Sequence, residues 1–125
     1  LHPMRIAGIG FRAGASEASL ADALETAADG LPLDALATLE DKAASSLIRA
    51  LATRLRMPVI AIPRARLGGI ETLTQSPRVM GMLGTGSAAE ALALAALAPG
   101  ARLLAPRALS QDRMASAAIA TGENQ

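Results

Sequence analysis

Apolar positions along this chain fall into short runs and helical stripes that alternate. From Arg5 to Gly14 the chain reads R-I-A-G-I-G-F-R-A-G, in which Ile6, Ala7 and Ile9 form the apolar run of a buried strand leading into a glycine loop. Ser16 is placed to cap a helix starting at Glu17, with Leu20, Ala23, Leu24, Ala27 and Ala28 at helical spacing up to about Asp29. Gly30 and Pro32 stop it. Ala35 to Leu39 predicts a second strand, and Ala44 to Leu55 a second helix that buries Leu47, Ile48, Leu51 and Leu55 and turns Arg49, Arg54 and Arg56 to water. Pro58 breaks that helix, and Val59 to Ile62 reads as a third, buried strand.

Beyond Ile62 the alternation lapses. Pro63 to Gln75 has two arginines, a Gly-Gly pair and no clear period, the mark of a functional or mobile loop. Ser76-Pro77 restarts the chain as cap and first helical residue of a short helix through about Met82. Gly84 to Glu90, G-T-G-S-A-A-E, is a second glycine-to-helix corner in which Ser87 and Glu90 have capping-box spacing. The helix after it, about Ala88 to Ala98, is apolar all round, so it lies centrally or docks on another subunit. Leu103 to Ala105 and Met114 to Ala120 predict two last strands. Their connection, Pro106 to Arg113, is too short for a helical crossover, which makes them antiparallel. The pattern thus predicts one three-layer α/β/α domain over residues 1–125, with right-handed crossovers and a mixed, mostly parallel sheet of about five strands. Leu1 to Pro3 read as a short tail ahead of Met4.

Composition narrows the chemistry. Apolar residues are 51% and charged residues 18% of the 125, which excludes disorder, and the net charge of +1 argues against a general nucleic-acid or membrane-surface binder. The chain has no cysteine and one histidine, His2, in the predicted tail, so disulfides, thiol chemistry, a histidine triad and a metal centre are not expected. Without Trp or Tyr, and with Phe11 the sole aromatic, base stacking has no platform. No apolar run reaches the roughly 20 residues that span a bilayer, and the expected location is cytoplasmic.

Candidate binding residues gather at the two glycine corners and at the carboxyl end of the second strand, where open α/β sheets place ligands. At the first corner, Gly8, Gly10 and Gly14 free the backbone, and the amides of the following helix would face the loop and favour anions; the alternative is a tight connection and nothing more. After the second strand stand Glu40, Asp41 and Lys42, the only lysine among twelve basic residues. Lys42 is either an ammonium wanted at that place or a surface residue paired with Glu40 or Asp41. Gly8-x-Gly10 after a strand also admits a nucleotide- or dinucleotide-binding module. That fingerprint asks for glycine where Ala13 stands, with Gly14 one place late.

Three motifs together carry a resemblance: G-I-G-F-R-A-G-A-S at Gly8 to Ser16, A-T-L-E-D-K at Ala37 to Lys42, and S-P-R-V at Ser76 with G-T-G-S-A-A-E-A at Gly84 to Ala91. Over nearly its whole length the chain resembles the CobE/CbiG C-terminal family of cobalamin (vitamin B12) biosynthesis. It departs from that family's commoner first loop, which often has cysteine at the position of Phe11, arginine at Ala13 and threonine at Ala15. The resemblance implies a role in corrin ring synthesis, in which a two-domain relative opens a precorrin lactone and releases acetaldehyde. A hydrolase of that kind is one alternative, with Glu40, Asp41, Glu90 and Lys42 as the acid-base groups on offer and no assigned catalytic residue. Accessory binding of a corrinoid or precorrin intermediate is the favoured implication, with no further cofactor and no metal held by the protein. The ligand-binding residues it implies are Gly8, Gly10, Phe11, Arg12, Lys42, Ser76, Gly84, Thr85, Gly86, Ser87 and Glu90, with the Pro63–Gln75 loop as a cover. Other cobalamin-pathway enzymes and a second copy of the chain are the expected partners.

Overall fold

The computed structural model describes residues 3–125, so Leu1 and His2 of the predicted tail lie outside the described residues. Strand β1 (Met4–Phe11) leads to helix α1 (Glu17–Ala28), followed by β2 (Ala35–Leu39), α2 (Ser46–Leu55) and β3 (Val59–Ile62). A 3-10 turn at Arg64–Arg66 precedes α3 (Pro77–Leu83) and α4 (Ala88–Ala95), and β4 (Arg102–Leu103), β5 (Ala108–Leu109) and β6 (Ala115–Gly122) complete the chain. The sheet runs β3-β2-β1-β6-β4, with β5 also on β6. β1, β2 and β3 are parallel, whereas β6 runs antiparallel to β1 along its full length, from Met4↔Gly122 to Phe11↔Ala115. The expected three-layer, mixed α/β domain is present, with β5 an additional short strand in the Pro106–Arg113 connection.

The two faces follow from the two-residue period of strand side chains. Ala7 and Ile9 of β1 pack with Leu20 and Leu24 of α1 and Ile48 and Leu51 of α2, while Ile6 packs with Ala91, Leu92 and Ala95 of α4 on the opposite face. Alanine-rich β6 serves both layers, Ala117 and Ile119 on the first and Ala120 on the second. The apolar helix α4 is therefore central. Ala91, Leu92, Ala93, Ala95, Ala96 and Leu97 are buried within the chain itself, so that face gives no docking surface for another subunit.

Several boundaries differ for identifiable reasons. β3 is an edge strand, with Val59 and Ile60 half-buried and Ala61 exposed, because its far side has no neighbour in the sheet. α2 begins at Ser46, where the Ser45 hydroxyl accepts from the Leu47 N–H, and Leu55 at its other end is exposed. α4 stops at Ala95 because the chain turns at Ala96 to bring Leu97 into a bridge with Asn124.

This topology gathers one end of the molecule. The carboxyl ends of β1, β2 and β3 lie beside the amino end of β6, and the β5–β6 turn stands next to Phe11, since Phe11 pairs with Ala115. α4 runs antiparallel to β1: its first residue, Ala88, meets Gly10, and Ala93 meets Gly8.

Candidate functional site

A cavity of about 600 Å3 opens at this end. Its inner wall is apolar, made by Ile9, Phe11, Leu39, Leu83, Leu92 and Met114, and Arg12, Lys42, Arg64, Arg78, Arg107 and Arg113 also line it. Those are six cations, half of all the lysine and arginine in the chain, and among the described residues the lining contains no Asp, Glu or His. Of the six, Arg64 is ion-paired, to Asp41 at 3.3 Å; among the described residues the others have no carboxylate in salt-bridge range. A wider groove of about 830 Å3 lies outside α1 and α2, rimmed by Glu17, Asp22 and Glu25 and holding none of the residues read from the motifs. The charge and the motif residues point to the cationic cavity.

Each wall is fixed by a polar contact. The Lys42 ammonium donates to the Phe11 carbonyl at 2.9 Å and stands 4.9 Å from the centre of the Phe11 ring. Among the described residues it is not paired with Glu40 or Asp41: β2 lies beside β1, and Lys42, just past the end of β2, reaches the carbonyl at the end of β1. Thr38 donates to the Ile9 carbonyl at 2.9 Å, tying β2 to β1 just below.

Glu90 does something the capping-box spacing did not anticipate. Ser87 performs its half, accepting from the Glu90 N–H at 3.3 Å, but the Glu90 carboxylate turns away from the cap. Fully buried, it accepts from the backbone N–H groups of Leu73 (2.6 Å), Thr74 (3.0 Å) and Arg107 (3.0 Å). Burial alone would raise this carboxyl, but hydrogen bonds from Thr74, Arg107 and Leu73 outweigh it and hold the group below its ordinary value. One side chain of α4 thus anchors both the 63–75 loop and the start of the β5–β6 hairpin. Consequently the loop is fastened against α4, and of its residues only Arg64 lines the cavity.

A second carboxylate fixes the hairpin's turn. Asp112 accepts from the Ser110 hydroxyl at 2.6 Å, the Ser19 hydroxyl at 2.5 Å and the Met114 N–H at 3.1 Å, which hold it below the usual aspartate range. Ser19 in turn forms a full capping box with Ser16 at the start of α1. The amino terminus of α1 therefore carries a capping box and does not line the cavity, so the cavity is not built on the helix end that a dinucleotide-binding module uses.

The residues read from the motifs divide into two groups. Gly10, Phe11, Arg12, Lys42 and Ser76 line the cavity. Gly8, Gly84, Thr85, Gly86, Ser87 and Glu90 stand outside the lining and build its supports. A Cβ on Gly8 would meet the Ala89 carbonyl at 2.0 Å and the Ala93 nitrogen at 2.6 Å, so this glycine lets α4 lie on β1. Gly84 ends α3 in the left-handed conformation, and a Cβ on Gly86 would meet the Thr74 carbonyl at 2.3 Å. Thr85 spends its hydroxyl on the Ile70 carbonyl at 2.6 Å. Arg64, Arg78, Arg107, Arg113, Met82 and Met114 are lining residues outside the list read from sequence. They come from connections and a short helix, and the available signal was arginine recurring in segments without an apolar period.

The sequence model of the family described as "Cobalamin synthesis G C-terminus" matches residues 5–120. No curated protein matches the chain significantly. Among solved structures, the chain is similar to CobE, a protein from the cobalamin (vitamin B12) biosynthetic pathway, with 36% identity, a TM-score of 0.82, and 100% of this chain and 94% of that one covered. It is also similar to the cobalamin biosynthesis protein chiG from Agrobacterium tumefaciens str. C58, at 31% identity and a TM-score of 0.71, covering 94% of this chain and 97% of that one. A cobalamin biosynthesis protein G homologue from Sulfolobus solfataricus shares the fold at 16% identity and a TM-score of 0.69, over 97% of this chain and 37% of its own. With 116 of its 125 residues matched, and two solved cobalamin-biosynthesis proteins above 30% identity over nearly the whole chain, this protein belongs to the cobalamin synthesis G C-terminal family.

Proposed function

We propose that the chain binds a corrinoid or precorrin intermediate of cobalamin biosynthesis in an accessory or carrier role, handing it to other enzymes of that pathway. The observation that carries this reading is a cavity with an apolar wall, six cations and no carboxylate at the carboxyl ends of β1 and β2. A corrinoid intermediate is a large apolar ring fringed by carboxylates. Leu39, Leu92 and Met114 match the ring, and guanidinium groups match the fringe with charge-assisted, often paired hydrogen bonds. Each such bond contributes roughly 1.5–3 kcal/mol, so three or four support micromolar affinity after ordering costs.

Binding is favoured over hydrolysis by the same inventory. Among the described residues the lining offers no carboxylate, imidazole or thiol to activate water, and the one amine among them, that of Lys42, is engaged with the Phe11 carbonyl. Glu90 is buried with both oxygens occupied by backbone N–H groups, so it supports the cavity without facing it. The test is to express the chain together with the cobalamin-pathway enzymes and purify it. A coloured tetrapyrrole travelling with the protein is the expected result, unambiguous because a chain without Trp or Tyr has no strong band of its own above the peptide region. Colourless protein from cells that accumulate the intermediate would overturn the reading.

A further inference from the structure

The geometry points to a selectivity device inside this cavity: Arg107 and Arg113, held on the β5–β6 hairpin, sense ionised carboxylates on the ligand's rim, so that the site takes the free-acid macrocycle and rejects its amidated form. This deepens the proposed function and rests on it. A chain of net charge +1 places half its cations around one cavity without lining acids, an arrangement that costs self-repulsion until an anion enters. A ring whose fringe carries neutral amides offers those cations little in return. Amide oxygens accept hydrogen bonds but bring no charge.

The hairpin is built to hold its two arginines in place. The backbone N–H of Arg107 donates to the buried Glu90 carboxylate, and Asp112 clamps the turn next to Arg113. Arg113 itself has φ +62°. Asp29 and Arg56, the other non-glycine residues with positive φ among the described residues, sit at helix ends where that conformation is common; Arg113 sits in a hairpin turn, where glycine would adopt it without strain. An arginine kept at such a place, in the wall of a cationic cavity, is accounted for by what its guanidinium meets there. Fixing the backbone beforehand also lowers the ordering cost of each contact.

The experiment titrates the full chain with uroporphyrin, with coproporphyrin, which has half as many carboxylates, and with uroporphyrin octaamide, which keeps the ring and size but loses the charge. The porphyrin absorption band reports binding. Uroporphyrin is expected to bind most tightly, coproporphyrin about tenfold or more weakly, and the octaamide not measurably, with added salt weakening uroporphyrin most. Arg113→Gly should lose about tenfold in uroporphyrin affinity while melting at the same temperature or higher, since it removes charge and strain together. Octaamide binding equal to that of uroporphyrin, or an Arg113→Gly variant with unchanged affinity, would overturn the inference and leave corrinoid binding standing. Failure of uroporphyrin to bind also overturns it; if a free-acid corrinoid fails as well, the proposed function falls with it.

Discussion

Replacing Glu90 by glutamine removes one negative charge from the interior and one of two acceptor oxygens, with almost no change in shape. In the native protein one oxygen serves Leu73 and Thr74 and the other serves Arg107. Glutamine can keep the first pair through its carbonyl, but its NH2 then faces the Arg107 N–H donor to donor. Losing one hydrogen bond to a charged acceptor costs about 1.5–3 kcal/mol, and turning the other two from charged to neutral costs about 0.5–1 kcal/mol each. The amide is easier to bury than the carboxylate, which offsets part of this. A net loss of about 2–3 kcal/mol follows, or a melting temperature lower by roughly 8–12 °C for a domain of this size. Urea and thermal unfolding followed by far-ultraviolet circular dichroism measure it, since the chain has no tryptophan to report by fluorescence. Because Glu90 also positions Arg107, ligand affinity should fall at temperatures where the variant is still folded. A variant within about 0.5 kcal/mol of the native protein would refute the claim that this carboxylate ties the loop and the hairpin to α4.

Other outcomes follow from the same contacts. Gly8→Ala sets a Cβ against backbone atoms of two α4 residues, neither able to yield without moving the helix, so destabilisation of about 3 kcal/mol or more is expected in unfolding experiments. Glu90 and Asp112 both titrate below their ordinary values of about 4.5 and 3.8; the stability they contribute is complete above those values and lost as pH falls through the lower folded-state values, so unfolding midpoints should hold steady from neutral pH to about 5 and drop below 4. Glu90→Gln should flatten that acid limb. Lys42→Ala should cost about 1 kcal/mol or less in stability, because its carbonyl partner at a strand end can take water, while weakening corrinoid binding about tenfold.

The parallel half of the fold is legible in the sequence because its signals are local. Ala35–Leu39 and Val59–Ile62 are apolar runs bounded by turn residues, and the structure returns both with those limits. That β6 joins β1 is not local information. It depends on the packing of a whole strand against β1, which no spacing near Ala115 encodes. The same distinction runs through the site. Gly10, Phe11, Arg12 and Lys42 line the cavity as strand-end residues, the place where the alternation of strand and helix puts ligands. Arg107 and Arg113 enter the lining only because β5 folds back on β6, so their membership was invisible along the chain. Glu90 shows how a correct local spacing hides a tertiary role. Ser87-x-x-Glu90 is a capping-box pattern, yet three backbone donors from distant segments win the carboxylate, since leaving them buried and unpaired would cost more than one cap amide.

The most direct measurement of the central claim is a visible-absorption titration of the chain with a free-acid corrinoid, run beside NAD and repeated on an Arg12→Gln/Arg78→Gln double variant. Those two arginines line the cavity, lie exposed at its rim and have no carboxylate partner among the described residues, so their loss should leave folding nearly unchanged. The native chain should bind the corrinoid with a dissociation constant in roughly the micromolar range and ignore NAD, and the variant should bind about a hundredfold more weakly. Equal corrinoid affinity in both proteins, or saturable binding of NAD in place of the corrinoid, would contradict the assignment of this cavity.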